Sequence, residues 1–380
     1  MFGMTEQIPA TAQRREVDAK HALLRQLLER RGLEAAVLTG ADAVAWATGG
    51  ITNAIERGAP TSPLWLVVRA DGAAAVTTNV EQARVDAESG LRELDIALHD
   101  APWYEADSLE RVAAELAGAP RERVGGLGAD IDDDLVELRL ALMPAERERL
   151  AVLAFDATAA LEDALRAWIP GERDFDVQSR VSAQLERSGA FGACLIVGGD
   201  DRVERFRHPL AAGLAMTRLV MAVVVAERGG LHAAVTRFAS AGALSASVRA
   251  SRDAARAIEA ATLEACVPGV AYGDVLAALD RAYADAGHPG GWAEHYQGGP
   301  VGYRQREFEI VPTKTGSRWF SVTVDEGHAV AWNPSVAGGG KVEDTYLVEP
   351  GGLRRLTDTG AWPLDGERPA VLEVSSGEAA

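Results

Sequence analysis

The chain has 380 residues, 47% of them apolar and 25% charged, and a formal net charge of −18. That length suits two domains with a core each, and the balance is that of a folded globular protein rather than a disordered chain or a coiled coil. Such an acidic chain, with no dense basic cluster, would repel a polyphosphate backbone, so nucleic acid and anionic membrane are not expected partners.

After a polar start that reads as frayed, LLRQLLERRG is an amphipathic helix closed by Gly32, and LEAAVLTG follows as a short buried strand. DAVAWATGG continues as a helix, PLWLVV and AAAVTTN as strands around the turn ADG, VEQARVDAES as a helix and LDIALHD as a strand. LERVAAELAG and RVGGLGADI add a further helix and strand, so residues 1–143 are expected to form an α/β domain. The GGLG run at Gly125 to Gly128 lacks the remaining glycine of GxGxxG and leads into a strand, which argues against a dinucleotide loop.

From Pro144 the texture changes. AERERLAVLAFDATAALEDALRAWIPG is a long helix stopped by Pro170 and Gly171, and FDVQSRVSAQLERSG is a second. ACLIVGG reads as a buried strand, and RLVMAVVVAERGGLHAAVTRFA as a hairpin turned by Gly229 and Gly230. Two helices follow, LSASVRASRDAARAIEAATLEACVPG and YGDVLAALDRAYADAG, and then strand-like pieces: HYQGGPVGYRQRE, FEIVPT, HAVAWNPSV and DTYLVEPGG. This order lacks the alternation of a parallel sheet, so residues 144–380 are expected to be α+β with a curved, mostly antiparallel sheet, ending in the loose tail PAVLEVSSGEAA. AGGGK at Ala337 to Lys341 fails the phosphate-loop pattern and reads as a hairpin turn. Cys194 and Cys266 sit in apolar surroundings without metal-site spacing and read as buried free thiols. No window approaches the roughly 20 apolar residues of a membrane span, so a cytoplasmic protein is expected. Only Lys20, Lys314 and Lys341 are lysines; this reads as coding bias in an arginine-rich chain.

The order of pieces in the second half resembles the creatinase and aminopeptidase P family, the peptidase M24 or pita-bread fold, preceded by a creatinase-type N-terminal domain. The resemblance is carried by RHP around His208, a strand hairpin ending in Thr236 and Arg237, GPVGYRQRE at Gly299 to Glu307, EGHAVAWNP at Glu326 to Pro334 and EDTYLV at Glu343 to Val348. It implies a homodimer acting on a small-molecule substrate. In the family's metallopeptidases two Asp, one His and two Glu hold a metal pair. By the resemblance those positions fall at Val223, Ala234, Gly299, Asn333 and Glu343, of which only Glu343 keeps the expected carboxylate. No metal and no cofactor is therefore expected.

His208 matches the non-metal histidine that serves as general acid/base in creatinase, a metal-free member, and imidazole is suited to move protons at neutral pH. Glu307 and Glu343 join it as catalytic candidates, orienting the histidine or holding a cationic substrate group. Arg207, His295, Tyr303, Arg306 and Asn333 are candidates for substrate binding, with Arg57 from the glycine-rich loop GGITNAIERGAPTSP of the first domain. Each has an ordinary structural reading beside it: an ion pair for Arg306 or the glutamates, a hydrogen-bonded ring for His295, solvated charge for Arg57. The implied function is metal-independent hydrolysis of a C–N bond in an amidino, ureido, cyclic amidine or modified amino-acid compound. The alternatives are a non-catalytic ligand- or protein-binding protein, and an Xaa-Pro aminopeptidase with atypical ligands from His208, His232, His295 and Glu343.

Overall fold

The computed structural model describes residues 10–52, 55–59, 61–311 and 318–374. The chain divides into two compact units, Met1–Glu146 with Gly229–Leu231, and Arg147–Arg228 with His232–Ala380.

In the first unit α1 spans Ala10–Arg31, so the stretch expected to be frayed is helical from residue 10; its residues 1–9 lie outside the described residues. The physical reason is burial: Val17 and Lys20 are fully enclosed and Glu16 nearly so. Then come β1 Ala35–Gly40, α2 Ala41–Ala47, β2 Thr61–Arg69, β3 Gly72–Thr78, α3 Gln82–Glu88, β4 Ala97–Ala101, α4 Ser108–Ala117, β5 Val124–Gly125 and α5 Asp132–Leu140. The strands form one sheet in the order β4-β3-β2-β1-β5, parallel at β3/β4 and β1/β5 and antiparallel elsewhere. Alanines 113 and 117 of α4 pack on Val37, Val67 and Val76, where small side chains let helix and sheet approach closely. The strand expected from RVGGLGADI is only two residues long, because Gly126 turns the chain with φ 81°.

Lys20 lies inside this unit. Its Nζ donates to Glu16 at 2.5 Å and to the Trp46 carbonyl at 2.9 Å, and pairs with Glu146 at 2.7 Å. His21 beside it bonds the Ala47 carbonyl at 2.9 Å, and burial pushes its pKa down to about 4.

The helix α6, Pro144–Arg166, carries the chain into the second unit. There follow α7 Asp174–Arg187, β6 Phe191–Gly199, a short α8 Asp201–Arg205, β7 Leu219–Arg228, β8 Leu231–Ala241, α9 Ala246–Ala265 and α10 Tyr272–Asp285. After them come β9 Gly298–Val301, β10 Ala329–Trp332, β11 Ser335–Val336, β12 Gly340–Lys341, β13 Asp344–Glu349, β14 Gly352–Arg355, β15 Leu364–Asp365, β16 Arg368–Pro369 and β17 Leu372–Val374. Two four-stranded sheets result, β14-β13-β10-β9 and β17-β8-β7-β6. The β14/β13, β13/β10, β10/β9 and β7/β6 pairs are antiparallel, and β17 runs parallel to β8. This is the expected α+β arrangement with mostly antiparallel sheets.

Two expectations are corrected here. Leu372, Glu373 and Val374 of the tail pair with Ala239, Ser240 and Ala241, because the edge of β8 offers free backbone groups; residues 375–380 lie outside the described residues. Phe308 to Val311 of FEIVPT form no strand, and the Phe308 ring stacks on Trp319 at 4.5 Å between centroids. Residues 312 and 313 of that stretch lie outside the described residues. No helix of the described residues is long and apolar enough to cross a membrane.

Candidate active site

Two carboxylates hold the segment that carries His208. Asp200, at φ 52°, accepts the amides of Thr217, Arg218 and Leu219 at 2.9, 2.8 and 3.0 Å. Asp174, fully buried, accepts those of Ala212, Gly213 and Leu214 at 2.9, 2.7 and 3.2 Å and pairs with Arg202 at 3.2 Å. Pro209, next to the histidine, seats on β6 at Gly198, where an added Cβ would stand only 2.6 Å from the proline ring. Gly198 is what lets the turn approach the sheet.

The segment carrying His295 is held from a different side. Gln297 donates to the carbonyls of Trp292 and His295 at 2.8 and 2.9 Å and accepts the Tyr283 hydroxyl at 3.0 Å. That hydroxyl in turn accepts the Ser335 amide at 2.9 Å, which ties the loop to β11. The two histidines meet with their Nε2 atoms 3.1 Å apart. His295 Nδ1 lies 2.5 Å from the Tyr296 carbonyl, and burial pushes the His295 pKa down to about 2, so the ring is neutral. A carbonyl can only accept; Nδ1 of His295 therefore carries its hydrogen and Nε2 its lone pair. His208 must then donate through Nε2, which leaves Nδ1 of His208 as its basic atom. Burial, and after it Lys341, lower the His208 pKa, with Glu343 opposing.

Lys341 on β12 is 4% exposed, and the described residues give its Nζ neither a hydrogen bond nor an ion pair. Burial, its first cause, pushes the ammonium below the usual lysine range, while Glu343 pulls it up. A cleft of about 200 Å³ is lined by Lys341, Ser335, Met221, Arg207, Glu294 and the turn Gly338 to Gly340. That volume lies below the ~300–1,000 Å³ of drug-sized ligand pockets and suits a small molecule.

The other expected site residues fall in several places. Glu343 accepts Thr236 at 3.1 Å and Asn333 at 3.1 Å, and pairs with Arg306 at 3.3 Å, so Arg306 is engaged with a carboxylate of its own chain. Glu307 is buried and its Oε1 accepts the amides of Tyr303 and Arg304 at 2.7 and 3.3 Å, folding the loop on itself; Tyr303 is buried there too. Arg207 pairs with Glu294. Arg57 is an exposed residue of the first unit. His232 bonds the Gly302 carbonyl through Nδ1 at 3.3 Å. Cys266 is buried as expected, but Cys194 is only partly buried, and its thiol, raised by burial, feels Glu343, Lys341 and Arg306.

The five positions at which the resemblance places metal ligands do not fit a metal pair. Val223 is 3% exposed and packs in an apolar cluster with Ile196, Met221 and Phe238. Ala234 and Gly299 carry no donor side chain, and Asn333 and Glu343 bond each other. Among the described residues no group of three or more His, Cys, Asp or Glu is placed to hold a metal ion. No step is therefore derived through a metal.

Lys341 and Ser335 went unrecognised in the sequence. The available signal was a lysine in a chain that otherwise uses arginine, standing after three glycines.

Residues 20–168 match the creatinase/prolidase N-terminal domain, and residues 149–350 match metallopeptidase family M24. No curated protein matches the chain significantly. Among solved structures, dipeptidase PepE from Mycobacterium ulcerans is similar at TM-score 0.73 and 21% identity, covering 97% of this chain and 99% of that one. The prolidase from Pyrococcus horikoshii OT3 is similar at 0.70 and 17%, covering 90% and 98%. An Xaa-Pro dipeptidase from Bacillus anthracis is similar at 0.69 and 16%, covering 94% and 100%. At these identities the likeness speaks to the fold.

Proposed function

Because the chain belongs to metallopeptidase family M24, we propose that it is a hydrolase of that family which cleaves a C–N bond of a small polar molecule without a resident metal, using His208 as the proton carrier. The observation that carries this reading is the His208–His295 pair with its assigned tautomers. Nδ1 of His208 takes a proton from water as the water oxygen bonds to the polarised carbon. The same proton then passes to the leaving nitrogen as the C–N bond breaks, so His208 ends neutral and the water is consumed. While His208 is cationic, its Nε2–H bond to His295 is charge-assisted, which holds the ring in place. Glu343 favours that cation, and Lys341 opposes it, so proton return is favoured as well.

Arg207, His295, Tyr303, Arg306 and Asn333 stand beside this step as substrate-holding candidates, and Glu307 as a support of the Tyr303 loop. A cytoplasmic homodimer with no nucleic-acid or membrane partner completes the reading and rests on the family resemblance and the net charge of −18. The relatives' names favour a second reading, an Xaa-Pro peptidase, which would need metals that the donor set above does not fit.

The substrate is to be found by thermal stabilisation against guanidino, ureido and proline-containing compounds. On that substrate His208→Ala should lower kcat by about 10²–10⁴-fold with the melting temperature preserved. Full activity of the variant rejects the proton-carrier role. Turnover should survive dialysis against a chelator; loss of turnover that added manganese, cobalt or zinc restores would establish the metal-dependent reading instead.

A further inference from the structure

Ser335 and Lys341 are directly paired across the β11–β12 hairpin. Directly opposed residues of an antiparallel pair present their side chains on one face, and both line the same cleft. Ser335 is 2% exposed and Lys341 4%. The Ser335 hydroxyl has no hydrogen-bond partner, and neither does the Lys341 ammonium among the described residues. Nearby, Asn333 Oδ1 is also buried and unbonded.

Buried polar groups are nearly always satisfied, and an uncompensated buried charge is among the costliest features a core can hold. Two neighbouring donors without acceptors, on residues that both line the cleft, are therefore a cradle for something that accepts. The charges around it point the same way. Glu294 is engaged with Arg207, and Glu343 with Arg306; Glu204 and Arg205, of opposite charge, also line the cleft, and among the described residues the lysine has no ion-pair partner. We propose that Lys341 and Ser335 anchor a carboxylate group of the substrate, one oxygen accepting from Nζ and the other from Oγ–H. This deepens the hydrolase reading, on which it rests for the word substrate, by assigning the substrate to small carboxylic acids. The limited cleft volume agrees with a short acid rather than a peptide.

The test is titration calorimetry of the full-length protein at pH 7 with acetate, glycolate and N-acetylglycine, and with N-acetylglycinamide as the uncharged control. At least one carboxylate should bind saturably and the amide should not. Lys341→Met should weaken that binding by at least about 10-fold, as loss of a hydrogen bond to a charged group does. Ser335→Ala should weaken it by a smaller factor and serves as the second variant if the first fails to fold. The proposal is overturned if no carboxylate saturates, if the amide binds equally, or if both variants bind like the parent. Because calorimetry needs no turnover, failure here is distinct from failure of the hydrolytic reading, which the His208→Ala activity measurement decides.

Discussion

The two described lysines make an instructive pair, one in each unit. Lys20 is wholly enclosed and has two carboxylates and a carbonyl within 2.9 Å, so its charge is matched where it stands. Lys341 is almost equally enclosed, yet no acceptor among the described residues meets its Nζ. Burial alone does not separate a structural ion from a binding group; the state of its partners does. The first lysine ties α1 to the start of α6, whereas the second stands open on a cleft wall.

The comparison can be broken most directly by replacing each lysine with methionine. Lys20→Met strands two buried carboxylates and should cost about 3–5 kcal/mol of unfolding free energy. Lys341→Met removes a buried charge that no ion pair among the described residues compensates, and should leave stability unchanged or raise it. Urea unfolding of both variants decides the matter, and equal losses would mean that Lys341 is as structural as Lys20.

A smaller effect concerns the carboxylate that holds the His208 segment. Asp174→Ala strips three backbone amides and Arg202 of their acceptor and should cost about 2–3 kcal/mol. Addition of saturating carboxylate ligand should recover part of the lost melting temperature if the segment folds against the occupied cleft.

A pH-dependent effect is shared by the two units. His21 in the first and His328 in the second both have pKa values lowered by burial to about 4. Above the unfolded histidine value near 6.5 neither state takes a proton, so there is no contribution to pH dependence. As pH falls from about 6.5 to about 4 the unfolded chain protonates first, and each histidine removes stability at about 1.4 kcal/mol per pH unit. Unfolding free energies measured across that window should fall, and the slope should lessen by about that amount in His21→Gln; an unaltered slope would show that His21 does not titrate in this way.

Much of the fold was legible in the sequence because its cues are local. The turn at Gly229 and Gly230 between two apolar runs announces the β7–β8 hairpin, and the helices α6, α7, α9 and α10 carry their periodicity and stop signals openly. The ordered motifs around His208, Thr236, Gly299, Asn333 and Glu343 point to the family before any coordinates do. The misreadings arose where long-range contacts decided the outcome. The polar start became helix because Lys20 found Glu146, and Leu372 to Val374 became strand because the β8 edge accepted them.

The sequence by itself determined the residue types where the resemblance places the motifs, Val223, Ala234, Gly299, Asn333 and Glu343, since identity at a position needs no geometry. Only the tertiary structure could bring Nε2 of His208 and His295 together across 87 residues, and so choose the basic nitrogen. It alone distinguished the two buried lysines, because whether an ammonium is satisfied depends on groups that chain proximity does not supply. Glu146 reaches Lys20 from 126 positions away, while Lys341 meets its paired Ser335 and an open cleft.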